Sequence, residues 1–179
     1  MTGAASKSWP EEIFEALAAQ GVRQVAYVPD AGHKELIERC AAEPTMTAVP
    51  LTTEEEGVAL LAGAWLGGQR GVLLMQSSGV GNCVNMLSLM RTCAFPLLML
   101  VTMRGQPGEF NPWQLPMGET AAPVLELAGC RVFALNDAAE AGATVAAAGR
   151  AAFEGPAAAA VLIAQDVVGV KTFGGAGDG

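Results

Sequence analysis

The sequence predicts an α/β fold: a three-layer, open parallel sheet of about six strands with helices on both faces. Three observations carry this. Helix-period and strand-sized segments alternate about six times along the 179 residues, as in chains that wind a parallel sheet. The strand segments are apolar throughout rather than at every second residue, the pattern of strands buried on both faces. Every distinctive polar cluster falls just after a strand, where open parallel sheets hold their ligands.

The elements follow in order. Ser8-Trp9-Pro10-Glu11 has capping-box spacing, with proline where a missing N–H costs little. The helix it opens carries Ile13, Phe14, Leu17 and Ala18 on one face and stops at Gly21. Residues 25–28 form a short strand ended by Pro29, residues 34–42 a helix, and residues 47–51 a second strand. Residues 54–66 form a helix that is acidic in its first turn, as the helix dipole favours. Strand 71–75 leads through a tight loop, 76–81, into a helix at 82–92, and residues 96–102 are a continuous apolar strand. Residues 103–118, rich in glycine and proline, read as irregular; a loop of that length is usually functional or mobile. Helix 119–127, strand 132–135, helix 138–153 and strand 158–164 complete the alternation, and residues 174–179 read as a frayed, glycine-rich tail. With no repeat or internal linker, residues 1–179 are expected to form one domain.

Composition narrows the function classes. A hydrophobic fraction of 51% against 16% charged residues suggests that part of the surface is covered by another subunit. The net charge of −8 argues against nucleic acid, whose phosphates require Lys and Arg, and against an anionic membrane surface. No uncharged apolar run reaches the ~18–20 residues needed to span a bilayer, and residues 1–12 show no secretory signal pattern. Cys40, Cys83, Cys93 and Cys130 are scattered and His33 is the single histidine, so neither a zinc site nor a disulfide framework is indicated. Four reduced, mostly buried thiols in a cytoplasmic protein are expected.

Residues 52–57, Thr-Thr-Glu-Glu-Glu-Gly, admit two readings. Three carboxylates at a helix start are stabilised by the dipole and by solvent without any function. Alternatively one turns inward toward the ligand edge; residues about 100° apart around a helix cannot all face one way. Glu55 lies one turn before Ala59 and two before Ala62, a small-residue stripe. Met75-Gln76-Ser77-Ser78-Gly79-Val80-Gly81-Asn82 runs from a strand into a small-residue loop that offers hydroxyl and amide groups to a polar ring or phosphate, or simply makes a turn. It matches no nucleotide-binding glycine motif. His33, in Asp30-Ala31-Gly32-His33, is a ligand-edge or a structural histidine, and Arg104 either pairs an anionic group or solvates a strand end. Ser78 as a hydrolase nucleophile has little support, because no G-x-S-x-G surrounds it.

Together these segments resemble the pyrimidine-binding (Pyr) domain of thiamine-diphosphate enzymes, in particular the α subunit of sulfopyruvate decarboxylase and the matching half of phosphonopyruvate decarboxylase. The likeness runs through Val28-Pro29-Asp30, Leu51-Thr52-Thr53-Glu54-Glu55-Glu56-Gly57, Ala62-Gly63-Ala64-Trp65-Leu66, the Met75 to Asn82 segment, Arg104-Gly105 and Pro116-Met117-Gly118. The resemblance implies that a helix-starting glutamate hydrogen-bonds the cofactor's aminopyrimidine and so promotes loss of the thiazolium C2 proton. The family pattern sets a small residue two positions after that glutamate and an aromatic ten after; Glu55 meets both through Gly57 and Trp65, with Glu54 the fallback. It further implies cofactor contacts from Pro29, Gln76, Ser77, Ser78, Gly79 and Asn82, and substrate contacts from Asp30, His33 and Arg104. Met103 stands where sulfopyruvate decarboxylases often carry histidine, and the stretch 108–113 is distinctive; both bear on the substrate.

In this family Mg²⁺ and the diphosphate are held by a separate PP-type domain whose signature is G-D-G followed by Asn-Asn. Gly177-Asp178-Gly179 is read as a coincidental match, so no metal ligand is expected here. The implied enzyme is a hetero-oligomer, α₂β₂ with a PP-type β subunit, acting on a small 2-oxo acid; self-association as a homodimer is also expected. Thiamine-dependent acyl transfer or carboligation, and a non-catalytic flavodoxin-like binding module, are the competing readings.

Overall fold

The computed structural model describes residues 7–155 and 157–169; the expected tail at 174–179, with Gly177-Asp178-Gly179, lies outside them. In chain order the elements are α1 (Trp9–Ala19), β1 (Val22–Tyr27), α2 (Lys34–Ala42), β2 (Thr47–Pro50), α3 (Glu54–Leu66), β3 (Arg70–Gln76), α4 (Ser77–Cys83), α5 (Leu87–Cys93), β4 (Leu97–Thr102), α6 (Leu115–Leu127), β5 (Arg131–Leu135), α7 (Ala141–Phe153), β6 (Ala158–Ile163) and α8 (Gln165–Val168). The six strands make one sheet in the order β2-β1-β3-β4-β6-β5, and every pairing is parallel.

Alternation along each strand sends side chains to two cores. Leu98 and Leu100 of β4 join Ile13, Leu17, Leu36 and Val145 beneath α1, α2 and α7. Leu97, Met99 and Val101 join Val58, Leu61, Val80, Leu87 and Leu125 beneath α3 to α6. All six β4 residues are buried, so this strand needs no polar face and its sequence shows none. Chain order reverses beside β1, which lies between β2 and β3. Such a switch point opens a crevice beyond the carboxyl ends of the strands.

Two segments depart from the sequence expectation. Residues 77–81, expected as loop, are already helical in α4, and the helix expected over 82–92 is interrupted by a turn at 84–86 before α5. Gly79 serves there as a point of close approach: a Cβ on it would lie 2.5 Å from the Cγ of Glu54. The expected irregular stretch ends early, in a 3₁₀ turn at Pro112–Gln114 that runs straight into α6. Pro116 sits in the first turn of α6, where it disrupts no hydrogen bond. A Cβ on Gly118 would collide with the carbonyl of Gly105. Backbone contact between these two glycines pins the strap of residues 105–118 back onto the sheet edge. Among the described residues no helix is long and apolar enough to cross a membrane. Cys40, Cys83 and Cys130 are buried free thiols, whereas Cys93 is exposed.

Candidate functional site

The carboxyl ends of β1, β3 and β4 converge on a chain of polar side chains. Asp30, just past β1, accepts hydrogen bonds from Gln76 Nε2 at 3.1 Å and from Thr102 Oγ1 at 2.7 Å. Gln76 Oε1 in turn accepts from Ser78 Oγ and from Gln114 Nε2, each at 3.2 Å. Ser77 is fully buried, and its Oγ accepts from the Arg104 backbone N–H at 3.1 Å. A small cleft opens over this chain, walled by Asp30, Gly32, Thr102, Met103, Arg104 and Phe110 among others. Pro29 is exposed and lines a neighbouring depression with Tyr27 and Lys34.

Arg104 does not meet the cleft as a free cation. Its Nε and Nη2 donate to the two carboxylate oxygens of Glu109, each at 2.6 Å, and the Glu109 side chain is fully enclosed. Glu109 also accepts from the backbone N–H groups of Gly105 and Asn111 and from Gln165 Nε2. The Arg104 guanidinium, with help from the Asn111 and Gly105 amides, holds the Glu109 carboxyl down at about 2. The reciprocal bond raises Arg104 above its already high value. Nη1 is left without a carboxylate, and the guanidinium lies 5.6 Å from the Phe110 ring centroid.

His33 leaves the set of candidate ligand contacts. It is fully buried, with Nε2 placed 3.2 Å from the Met75 carbonyl and 3.1 Å from the Leu100 carbonyl. Burial lowers its pKa despite the nearby Asp30 charge, so the ring is neutral and Nε2 donates to the strand carbonyls. It joins the start of α2 to β3 and β4, and the sheet covers it from any ligand at the edge.

The three glutamates at the start of α3 point three ways, as 100° steps require. Glu54 is the one turned inward: it is buried, its Oε2 accepts from Asn82 Nδ2 at 2.7 Å, and it lies against Gly79. Glu55, the primary candidate, is half-buried on the outward side, and one of its oxygens accepts from Thr53 Oγ1. Glu56 folds back to accept from the Thr52 backbone N–H at 2.9 Å, an ordinary helix-start contact. The expected stripe is split: Ala62 is half-buried and packs against the core, whereas Ala59 and Gly63 are exposed and Leu66 is 88% exposed.

Gly79 and Asn82 thus serve Glu54 directly, whereas Ser78 is exposed beside them. Burial, reinforced by the Glu54 and Glu55 charges, pushes the neighbouring Cys83 thiol up to about 12 and keeps it inert. Thr102, Glu109, Gln114 and Gln165 were not singled out by sequence reasoning. The one local signal was Glu109 five residues after Arg104 in a glycine-rich strap. Among the described residues no group of three or more His, Cys, Asp or Glu could hold a metal ion.

Comparison with known proteins adds three findings. Residues 9–109 match the family model described as the thiamine pyrophosphate enzyme, N-terminal TPP binding domain. The chain is 36% identical over 118 residues to the sulfopyruvate decarboxylase subunit alpha of Methanothermobacter thermautotrophicus, spanning 65% of this chain and 72% of that one. With the same subunit of Methanococcus maripaludis it shares 36% over 117 residues, 65% of this chain and 70% of that one. It is 37% identical over 118 residues to phosphonopyruvate decarboxylase of Streptomyces viridochromogenes, spanning 65% of this chain but only 30% of that longer protein. Among solved structures, 2-oxoglutarate:ferredoxin oxidoreductase from Magnetococcus marinus superposes with a TM-score of 0.71 over 90% of this chain and 29% of that one, at 13% identity, a likeness of fold alone.

Proposed function

The chain belongs to the family of thiamine pyrophosphate enzyme N-terminal TPP-binding domains, and on that premise we propose that it is the α (Pyr) subunit of a cytoplasmic thiamine-diphosphate-dependent 2-oxo-acid decarboxylase. The substrate class is a small anionic 3-substituted pyruvate, with sulfopyruvate and phosphonopyruvate as the named candidates. The observation that carries the reading is the acidic start of α3 at the sheet's ligand edge, where Glu54 is turned inward and Glu55, half-buried beside it, has one oxygen bonded to Thr53 Oγ1.

This chain's side of the site suits the ring half of the cofactor. Small exposed residues, Ala59 and Gly63, leave clearance along α3, and Glu55 offers a carboxylate acceptor at its start. It does not suit the other half, because its acidic groups form no metal-binding cluster among the described residues. The family resemblance assigns Mg²⁺ and the diphosphate to a PP-type β subunit, in a proposed α₂β₂ enzyme whose sites lie between the chains.

Thiamine diphosphate, when bound, supplies a carbon nucleophile for the substrate ketone and an electron sink for decarboxylation. Glu55 accepts and returns one proton at its carboxylate oxygen, and Thr53 Oγ1 keeps that carboxylate from swinging to solvent. Glu54, with one oxygen on Asn82 Nδ2 and the other facing the space left by Gly79, is the fallback for this proton. Asp30, Gln76 and Thr102 form a fixed polar floor. Arg104 presents only its Nη1 end to an anionic substituent, because Glu109 holds the rest of its fork.

The test is CO₂ release across a panel of 2-oxo acids by the chain reconstituted with its PP-type partner, thiamine diphosphate and Mg²⁺. Glu55→Gln in that complex lowers turnover by about 10²–10⁴-fold. Near-normal turnover in Glu55→Gln would rule out the assignment, and no release from any acid would rule out the decarboxylase reading.

A further inference from the structure

We infer that Glu109 is a specificity-determining residue: by cancelling the charge of Arg104 behind the cleft wall, it makes the cleft select a singly charged sulfonate substituent over a doubly charged phosphonate. The inference deepens the proposed function and rests on its assignment of Arg104 to the substrate's anionic substituent.

Among the described residues the cleft is walled by two charged side chains, Asp30 and Arg104. The Glu109 carboxylate, fully enclosed, occupies the Nε and Nη2 edge of the guanidinium. One cation thus stands against two carboxylates, and the balance around the cleft is negative. Glu109 keeps its charge, because every group that bonds it is a donor: Arg104, the Gly105 and Asn111 backbone N–H groups, and Gln165 Nε2 of α8. These hold its carboxyl at about 2. It is also kept in place, since Gln165 is itself fixed by two bonds to Gln106.

Asp30 is equally fixed. Its Oδ1 accepts from Gln76 and its Oδ2 from Thr102, and a Cβ on Gly32 would lie 2.9 Å from Oδ2. The Thr102 hydroxyl hydrogen is therefore committed, and neutral His33 points its Nε2 at strand carbonyls. What remains for an anionic substituent is the Nη1 end of Arg104. Sulfopyruvate and phosphonopyruvate share a carboxylate and a ketone and differ only in that substituent. A sulfonate carries one negative charge throughout the neutral range. A phosphonate loses its second proton at roughly pH 6–7.5, near a phosphate monoester, and the added charge meets Asp30 and Glu109 with no cation among the described residues to offset it. Like charges a few ångströms apart in a partly enclosed site separate affinities by about tenfold or more.

The experiment uses the complex of this chain with its PP-type partner, thiamine diphosphate and Mg²⁺. It reads kcat/KM for sulfopyruvate and phosphonopyruvate across roughly pH 5.5–8.5. Dissociation constants of 3-sulfopropionate and 3-phosphonopropionate, which lack the ketone, give the same comparison without turnover. Titration of the shared catalytic groups cancels in each ratio. Wild type is expected to favour the sulfonate by at least about tenfold above about pH 7.5, and its phosphonate-to-sulfonate ratio falls by close to tenfold per pH unit once the second proton has left. Glu109→Gln, which keeps the size and removes the charge, raises that ratio by about tenfold or more and flattens its pH dependence.

A wild-type ratio that stays level with pH overturns the inference, and that measurement stands even if Glu109→Gln fails to fold. So does a Glu109→Gln complex weakened toward both compounds alike, the result expected if the clasp only braces the strap. Either result leaves the decarboxylase reading intact. If neither acid releases CO₂ while another 2-oxo acid does, the role given to Arg104 fails and takes the inference with it; release from no acid sinks the proposed function as well.

Discussion

At the residue scale, two buried titrating groups give the protein a two-step response to acid. His33 is buried neutral, its pKa lowered from 6.5 by desolvation. The unfolded chain accepts a proton near that pH and the folded chain does not, so stability declines as pH falls below 6.5. Glu109 is held at about 2 against an ordinary 4.5. Its contribution is complete above 4.5 and is lost as pH falls from there toward 2. Urea denaturation across roughly pH 3–7 should show both limbs. His33→Leu flattens the upper limb and Glu109→Gln the lower one. An unaltered slope below 4.5 in Glu109→Gln would mean that the enclosed ion pair is not what stabilises the strap.

At the element scale, the segment after β4 is a strap fastened at three points. Glu109 clasps Arg104 and the amides of Gly105 and Asn111. Gln165 of α8 and Gln106 bond each other twice, backbone to side chain, at 2.7 and 3.3 Å. Gly105, at φ +75°, meets Gly118 backbone to backbone. Gly118→Ala therefore overpacks a contact that has no flexible side chain to yield, and costs roughly 1–3 kcal/mol. Thermal denaturation checks the cost, and proteolysis of residues 105–114 checks where it falls. A variant as stable and as resistant as wild type would show that the strap is not anchored through this pair. The wall of the cleft includes Arg104 and Phe110, so the same variant loosens that wall.

At the scale of the whole molecule, a net charge of −8 and an outward α3 face carrying Glu55, Ala59, Gly63 and Leu66 suit a chain completed by a partner. Two exposed aromatic side chains, Trp113 at 87% and Phe110 at 58%, stand on the strap at the same end of the sheet. The chain alone is expected to lose thiamine diphosphate on gel filtration, and to retain it when co-purified with its PP-type partner in the presence of Mg²⁺. Stoichiometric retention by the chain alone, read from cofactor absorbance, would contradict the division of the site between two subunits.

The sequence by itself determined the parallel sheet, the two covered faces and the edge where the polar clusters gather, because each follows from hydrophobic period and turn residues within one element. The family resemblance alone, through Gly57 and Trp65, put Glu55 ahead of Glu54 as a candidate. Only the tertiary structure decided that the inward carboxylate is Glu54, that Arg104 is clasped, that His33 belongs to the core, and that residues 77–81 are helical. Those facts depend on partners far apart in the chain. Asn82 is 28 residues from Glu54, Gln165 is 56 from Glu109, and Leu100 is 67 from His33. Local periodicity says which way a side chain leaves its own element; which group meets it depends on where the other elements are packed.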